Sequence, residues 1–315
     1  MKVLSAHITD LCNSRCTFCV VGSPLYTKDT VDFDSILSFI RENSGGGFDA
    51  LNLHGGEPTI HPRLFELLQI AKEVGYPGVH IQTNGIKMSD RDFVERAKTL
   101  GVSRFIVSLH ASQGQVQDAL TDTNGGWKRT LAGIRNAVSL GIEVRTNTVI
   151  TRQNCDTLKD IAILACGLGV SHLNFSNIQP VGSAFLSFPK VAPTFAEMRA
   201  PLNSAIEYAL AQKRTVTIEG FPYCTLPRWQ ALQLNEEQRE IRMLIRGRII
   251  DSYDGFMNSS SRNFGPPCSS CAAKSRCGGV YWEYSAYRGW TEFTPFSLDA
   301  SDERSVDLER SECLK

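Results

Sequence analysis

Apolar and polar positions follow two alternating periods along the first 180 residues. Short runs rich in β-branched residues recur, and each is followed by a segment whose apolar residues repeat at helical spacing. In one such segment Leu64, Leu67, Leu68 and Ala71 stand at i, i+3, i+4 and i+7. The predicted strands are VLSAHIT (3–9), ALNLHGG (50–56), GVHIQTNG (78–85), RFIVSLHA (104–111), EVRTNTVIT (143–151) and HLNFSNIQPVG (172–182).

Six strand–helix alternations with short connections predict a parallel sheet with right-handed crossovers. Six units are too few for a closed eight-fold barrel, so the predicted fold class is α/β, with a partial (β/α)6 TIM-like barrel. In such barrels the chemistry lies at the carboxyl ends of the strands. Polar residues follow the predicted strands in HGGEP, TNG and QPVG, which predicts an active site at that edge.

Beyond residue 185 the pattern changes. FPKVAP (188–193) is predicted to be a linker, followed by a helix near 194–212 and an extended stretch, RTVTIEGFPYC. A second helix is predicted at about 228–246, with Arg239, Arg242 and Arg246 on one face that is either solvated or binds an anionic substrate group. The predicted division is a barrel (1–188), a linker with a helix (189–222), a small C-terminal domain (223–298) and an acidic tail (299–315).

The overall charge excludes some functions. The 315 residues contain 33 Lys and Arg against 33 Asp and Glu, so the net charge is zero. This balance argues against a nucleic-acid partner and against adhesion to an anionic membrane. Apolar runs fall short of the roughly 20 residues that span a bilayer, and the N-terminal apolar stretch is too short for a signal peptide. We therefore expect a cytoplasmic protein.

The ten cysteines are clustered, unlike those of a disulfide scaffold. Cys12, Cys16 and Cys19 stand in CNSRCTFC with C-x3-C-x2-C spacing, directly after the first predicted strand. A structural zinc site takes four ligands and a disulfide takes two. A 4Fe–4S cluster held by three thiolates keeps one iron open for an external ligand. From the spacing alone, a three-cysteine zinc site remains the alternative.

CNSRCTFC resembles the signature of the radical SAM superfamily, including the aromatic Phe18 before its last cysteine. HGGEP resembles the second motif of the same superfamily, and the likeness extends over about residues 1–185. The resemblance implies that the open iron binds the amino and carboxylate groups of S-adenosylmethionine (SAM). It also implies that one electron cleaves SAM to a 5′-deoxyadenosyl radical, which abstracts hydrogen from an unactivated C–H bond.

The resemblance further implies which residues contact SAM. Gly55 and Gly56 would let the backbone approach the ligand without a Cβ. Glu57 would accept a hydrogen bond from the ligand's ammonium group. The other implied contacts, at later strand ends, are Thr83, Asn84, Ser108 and Asn147. Each of these polar residues has an alternative role as a hydrogen-bonding partner of loop backbone.

A second group of cysteines consists of Cys268, Cys271 and Cys277 in CSSCAAKSRC, with Cys224 upstream. Four thiolates in loop-rich sequence hold either a structural zinc or a fully ligated iron–sulfur cluster. Behind a radical SAM core, the run resembles the SPASM and twitch extensions, which bind auxiliary 4Fe–4S clusters. SPASM domains usually continue with another cysteine where this chain has Tyr281, so the resemblance implies one twitch-type auxiliary cluster.

Cys224 is the predicted fourth ligand of this cluster, and Cys313 is the fallback, disfavoured by its place in the acidic tail. If neither serves, the open iron would bind substrate. Cys166, in IAILACGLG, is predicted to be a core residue. Cys155 lies near a predicted helix N-terminus, where it is either structural or a hydrogen-atom donor that quenches a substrate radical.

Two reactions are compatible with these residues: dehydrogenation, if the auxiliary cluster accepts an electron, and epimerisation, if a cysteine returns hydrogen. The first strand begins at residue 3, which leaves no room for the leader-binding domain of many peptide-modifying members. The predicted substrate is therefore a small polar natural-product intermediate, sugar-like or aminocyclitol-like. The alternatives are a ribosomally made peptide and, more remotely, a role as a non-catalytic electron carrier. The expected electron donor is a flavodoxin or ferredoxin.

Overall fold

The computed structural model describes residues 1–22, 25–26, 28–234 and 239–297. Its main feature is one nine-stranded sheet. The strands are β1 (Lys2–His7), β2 (Ala50–His54), β3 (Val79–Thr83), β4 (Val102–Ser108), β5 (Glu143–Val149), β6 (His172–Ser176), β7 (Thr215–Glu219), β8 (Glu240–Ile245) and β9 (Arg248–Ile250). A small second sheet pairs β10 (Arg262–Asn263) with β11 (Val280–Tyr281).

The strand order is β7-β6-β5-β4-β3-β2-β1-β8-β9, so the first seven strands lie side by side in chain order. All pairs among these seven strands are parallel. In the described part of the chain β7 and β9 form the two free edges of the sheet, which therefore does not close. The predicted α/β partial barrel is confirmed, and the stretch predicted to be extended supplies β7 as a seventh parallel strand.

The structure describes ten α-helices, and those that connect the parallel strands bury apolar stripes against the sheet. The ten helices are α1 (Phe33–Glu42), α2 (Leu64–Glu73), α3 (Arg91–Thr99), α4 (Gly114–Thr121), α5 (Gly126–Ser139), α6 (Leu158–Gly167), α7 (Ser183–Val191), α8 (Phe195–Ala211), α9 (Tyr253–Ser260) and α10 (Trp282–Arg288). The helix predicted near 194–212 is confirmed as α8, which begins with a capping box of Thr194 and Glu197. Among the residues described, no helix has the length and apolarity needed to cross a membrane.

The helix predicted at 228–246 is wrong. Pro227–Leu232 form a 3-10 helix, and Glu240–Ile245 form β8, which pairs in parallel with β1. Without β8, the backbone groups along that edge of β1 would lack partners, and this tertiary pairing overrides the local helical pattern. The three arginines form separate ion pairs: Arg239 with Glu219 and Asp254, Arg242 with Asp251, and Arg246 with Asp10.

The segment FPKVAP is not a linker, because α7 continues through it to Val191 with Pro189 inside the helix. Phe188 is buried in the core, and its packing holds the helix in place despite the missing N–H of the proline. Helix α8 then packs on α6, and β7 pairs with β6, so residues 195–219 continue the barrel. The domain boundaries themselves remain a prediction.

Candidate active site

The interior of the barrel is polar. Along β4 and β5, buried residues such as Phe105 and Val144 alternate with half-buried residues on the other face, which are mostly polar. Asn147 Oδ1 accepts hydrogen bonds from Asn174 Nδ2 (2.9 Å) and from Ser176 Oγ (2.7 Å). The structure therefore places Asn147, a predicted SAM contact, in a hydrogen-bond network that links β5 to β6.

Ser108 lies opposite Asn147 in the register of β4 and β5. Its half-buried hydroxyl makes no hydrogen bond to the described residues, so it remains available to a ligand. Nearer the amino ends of the strands, Arg104 and Arg145 both pair with Glu143, at 2.6 and 2.7 Å. Two guanidinium groups against one carboxylate leave this part of the interior with a positive charge.

The loop after β1 carries three free, half-buried thiols, Cys12, Cys16 and Cys19. Burial, together with the negative charges of Glu57 and of the neighbouring thiols, raises the pKa of Cys12 to about 12. Burial and the same neighbours also raise the pKa of Cys16. Thiolates at these positions therefore need a cationic centre beside them.

The number of these thiols bears on the kind of metal centre. A closed structural zinc site takes four ligands. A 4Fe–4S cluster held by three thiolates keeps one iron open for an external ligand, so the donor set of Cys12, Cys16 and Cys19 fits such a cluster.

Phe18 anchors the cysteine loop to the barrel. Its side chain is buried, and the ring packs edge-on against the ring of His110 with 4.8 Å between centroids. The loop backbone is held at a second point, where Arg15 N donates to Thr121 O at 2.8 Å. The aromatic residue of the motif thus fixes the position of the cysteines by packing on the end of the barrel.

Gly55 and Gly56 bring the end of β2 against the cysteine loop. A Cβ on Gly55 would lie 2.4 Å from Thr9 O, and one on Gly56 would lie 2.1 Å from Leu11 O. Gly56 N donates to Thr9 O (2.7 Å) and Glu57 N donates to Leu11 O (2.8 Å). In this structure, the missing Cβ atoms make room for the loop that carries the cysteines. Direct contact of these glycines with SAM stays a prediction.

Glu57 is buried and joins the ends of β2 and β3. Its Oε1 accepts hydrogen bonds from Thr59 N (3.0 Å), Thr59 Oγ1 (2.5 Å) and Thr83 Oγ1 (2.6 Å), and its Oε2 accepts one from Asn84 N (2.6 Å). Burial raises the pKa of Glu57, although these hydrogen bonds favour its charged form. Asn84 Nδ2 also donates to Asn13 Oδ1 in the cysteine loop (2.6 Å). Three predicted site residues, Glu57, Thr83 and Asn84, are therefore joined by hydrogen bonds. Oε2 of Glu57 retains the capacity to accept one more hydrogen bond.

We expect the Glu57→Gln variant to lose about 2 kcal/mol of folding free energy, because the new amide NH2 would face N–H and O–H donors. Urea denaturation of the metal-free protein measures this loss. Glu42→Gln, an exposed change of the same kind at the end of α1, is the control and should stay within about 0.5 kcal/mol of the parent. Equal midpoints for the two variants would mean that the network of Glu57 does not stabilise the fold.

Four cysteines line one cavity in the C-terminal region. Cys224, in a 3-10 turn after β7, lies there with Cys268, Cys271 and Cys277, around a small, partly open cavity. Burial and the charges of the other three thiols raise the pKa of Cys224 to about 11. Apolar and aromatic residues close the cavity, among them Phe264, Val280, Phe293 and Phe296. The structure thus brings together the four predicted ligands, whereas Cys313 lies outside the described residues.

A cluster of charged and phenolic residues, not anticipated from the sequence, lies at the carboxyl end of β7. Glu219, at the end of β7, pairs with Arg239 at 2.6 Å, and Arg239 also pairs with Asp254 at 2.8 Å. Tyr253 lies beside them, with its hydroxyl 3.5 Å from Gln179 Nε2. Burial opposes ionisation of Glu219, but Arg239 outweighs it and the pKa of Glu219 is lowered. The signal for this cluster in the sequence was Glu219–Gly220, an acidic residue followed by a glycine inside the extended stretch RTVTIEGFPYC.

Cys155 does not reach the interior of the barrel. Its side chain is 3% exposed, and its Sγ lies 3.7 Å from Glu197 O in α8. Burial and nearby carboxylates raise the pKa of the thiol to about 11. The structure gives no support to its role as a hydrogen-atom donor, because helix packing separates the thiol from any substrate in the barrel.

Comparisons with known proteins agree with this geometry. The profile of the radical SAM superfamily matches residues 7–165, about half of the chain. Proteins named probable GTP 3′,8-cyclase from Saccharolobus islandicus and Saccharolobus solfataricus are 29% identical over 189 residues. The match covers 60% of this chain and 60% of those proteins, so this chain aligns with less than two thirds of their length.

Two solved structures share the fold. SuiB of Streptococcus suis bound to S-adenosylmethionine has a TM-score of 0.67 at 16% identity, over 94% of this chain and 76% of that one. HemN of Escherichia coli, described as a coproporphyrinogen III oxidase and radical SAM enzyme, has a TM-score of 0.53 at 15% identity, over 71% and 54%. At these identities the likeness concerns the fold alone.

The structure shows an open parallel α/β barrel with three cysteines in the loop after its first strand. With the profile match added, the chain belongs to the radical SAM superfamily. It is a radical SAM enzyme whose cofactors are a 4Fe–4S cluster and SAM. The remote alternative of a non-catalytic electron carrier is therefore set aside.

Proposed function

We propose that this enzyme oxidises a small polar molecule and passes one electron to an auxiliary 4Fe–4S cluster. When loaded, the site at Cys12, Cys16 and Cys19 supplies a 5′-deoxyadenosyl radical by reductive cleavage of SAM. Transfer of one hydrogen atom from a substrate C–H bond to that radical would give 5′-deoxyadenosine. Loss of one electron to an auxiliary cluster held by Cys224, Cys268, Cys271 and Cys277, and of one proton to water, would then leave the substrate oxidised by two electrons.

The observation that carries this proposal is the convergence of Cys224, Cys268, Cys271 and Cys277 on one cavity. Four thiolate ligands would satisfy all four irons of a cluster and leave none open to substrate. A fully ligated cluster exchanges electrons without binding the reacting molecule. Four thiolates also suit structural zinc, but the position of this group behind a radical SAM domain supports an auxiliary cluster.

Dehydrogenation is favoured over epimerisation. An epimerase needs a hydrogen-atom donor that reaches the substrate radical, and Cys155 was the candidate for this role. Its thiol is buried against α8, whereas the four-cysteine cavity offers a destination for the electron. Dehydrogenation therefore gives the four-cysteine cavity a role, which epimerisation through Cys155 does not.

The polar interior of the barrel supports a small polar substrate, such as a sugar or an aminocyclitol. Ser108 offers an uncommitted hydroxyl, and Arg145 uses Nε for its bond to Glu143 while its side chain remains 30% exposed. Hydroxyl and guanidinium groups bind polyols and anions, whereas an apolar substrate would leave them without partners. Glu57, Thr83, Asn84 and Asn147 are proposed to hold SAM above these groups.

A peptide substrate is the second candidate. SuiB bound to its precursor peptide SuiA has a TM-score of 0.69 over 94% of this chain, so a peptide-binding enzyme shares both the barrel and the C-terminal region. For either substrate, a flavodoxin or ferredoxin is proposed to deliver the electron that cleaves SAM.

We expect the double variant Cys268→Ala/Cys271→Ala to lose the auxiliary cluster and to keep the SAM-binding cluster. Iron in the anaerobically reconstituted protein should fall from about eight to about four atoms per chain. Release of 5′-deoxyadenosine with dithionite and SAM should persist, because the first cysteine loop is unchanged. Cys166→Ala on α6, away from both groups, is the control and should keep about eight irons. Unchanged iron in the double variant would rule out the auxiliary cluster.

Deuterated substrates identify the molecule that is oxidised. A labelled sugar, aminocyclitol or peptide that serves as substrate should transfer deuterium into 5′-deoxyadenosine, as measured by mass spectrometry. In the double variant we expect this transfer without the two-electron oxidised product. Transfer from the peptide alone would replace the first candidate substrate by the second.

A further inference from the structure

Arg262 lies on β10, in the small second sheet. It is paired across the small sheet with Tyr281, and its guanidinium carbon lies 5.0 Å from the centre of the Tyr281 ring. Its Nη1 occupies the space beside Gly278, only 2.2 Å from where a Cβ of that residue would stand. Gly278 directly follows Cys277, so the guanidinium packs against the backbone next to a proposed cluster ligand.

The hydrogen-bond partners of Arg262 are neutral. Its Nη1 donates to Asn258 Oδ1 at 3.0 Å, and its Nη2 donates to the hydroxyl of Tyr281 at 3.3 Å. Among the described residues, no carboxylate lies within ion-pair distance of it. Its positive charge is therefore not cancelled by a direct partner, and an arginine does not lose that charge by deprotonation.

The positive charge of Arg262 also enters the charge balance of the neighbouring ion pairs of Arg239. Glu219 and Asp254 are two negative groups that share a single direct cation, Arg239. Arg262 supplies the second positive charge, and it interacts electrostatically with Glu219. With Arg262 present, the four charges balance. Without it, one uncompensated negative charge would remain beside the cavity.

We propose that Arg262 is a positioning residue that raises the reduction potential of the auxiliary cluster and so makes it an electron acceptor. This inference rests on the proposed function, because it requires a cluster in the four-cysteine cavity. Reduction adds a negative charge, and a fixed positive charge in a partly buried site stabilises the reduced form. The guanidinium would act on the cluster electrostatically, from its position beside the Cys277–Gly279 backbone. This effect requires no contact with substrate.

The test is a redox titration of the reconstituted, full-length protein, followed by electron paramagnetic resonance. The midpoint that is lost in Cys268→Ala/Cys271→Ala belongs to the auxiliary cluster, and the midpoint of the SAM-binding cluster is the internal reference. We expect Arg262→Gln to weaken reduction of the auxiliary cluster about tenfold, a shift of about 59 mV to lower potential. Arg262→Lys should restore most of the parent value, because it keeps the charge.

Two further variants complete the test. Arg276 is the exposed neighbour of Cys277, and Arg276→Gln should leave the midpoint nearly unchanged because water and salt screen its charge. Glu219→Gln removes a negative charge and should shift the midpoint upward, which tests the electrostatic origin even if Arg262→Gln fails to fold.

The outcomes separate this inference from the proposed function. A complete auxiliary cluster in Arg262→Gln with the parent midpoint would overturn the role of Arg262 and leave the proposed function intact. The same would follow if Arg276→Gln shifted the midpoint as far as Arg262→Gln does. If the parent protein showed no second cluster, both proposals would fail together.

Discussion

Replacing Cys16 by alanine is expected to abolish SAM cleavage. Cys16 is the central thiol of the cysteine loop, and with only two of the three thiolates left the cluster that binds SAM has lost a ligand. Iron should fall from about eight to about four atoms per chain, with only the auxiliary cluster retained. Release of 5′-deoxyadenosine in the presence of dithionite and SAM should drop to the background without enzyme.

Cys166→Ala is the matched control, since it removes a partly buried thiol of α6 that takes no part in either cysteine group. It should keep both the iron and the activity of the parent. Circular dichroism of Cys16→Ala should match the parent, because the barrel core lies outside the loop. Continued 5′-deoxyadenosine release by the alanine variant would contradict the assignment of the first cysteine group.

Replacing Gly56 by alanine should be nearly as damaging to activity, although Gly56 is not a ligand. The new Cβ would lie 2.1 Å from Leu11 O, a backbone atom that cannot move unless the cysteine loop moves with it. We expect a loss of about 3 kcal/mol in folding free energy, at the upper end of the cost of overpacking. Cluster loading should fall as well, because the displaced loop no longer presents its three thiols together.

Gly167 provides the control for this experiment. It ends α6, and a Cβ there would meet nothing within 4 Å. Gly167→Ala should therefore keep the iron content of the parent, and its folding free energy should be unchanged or higher by up to about 1 kcal/mol. Should Gly56→Ala bind the full complement of iron with parent stability, the close approach of the β2 end to the cysteine loop would not be what holds the cysteines in place.

Local features were predictable from the sequence to the extent that they depend on neighbours along the chain. The period-2 and period-3.6 patterns placed the first six strands and the helix that contains Leu64–Ala71, because a strand or helix buries the face that its own spacing creates. The C-x3-C-x2-C loop was recognisable for the same reason, since its three cysteines lie within eight consecutive residues.

The wrong predictions concern segments whose secondary structure depends on residues far away in the sequence. Residues 240–245 were predicted as helix, but they form a strand because β1 has an edge that needs a partner. FPKVAP was predicted as a linker, but the burial of Phe188 extends α7 across it. The close approach of Gly56 to Leu11 was not predicted, because the two residues belong to different parts of the chain.

By itself, the sequence determined the class of fold, the family and the identity of the chemical groups, because these depend on residue type and spacing. Only the tertiary structure decided which groups meet. It brought Cys224 to three cysteines more than forty positions away, tied Glu57 to the cysteine loop, and placed Arg262 beside Cys277. The reason is that hydrogen bonds, ion pairs and steric contacts act over a few ångströms in space, and chain folding alone sets those distances.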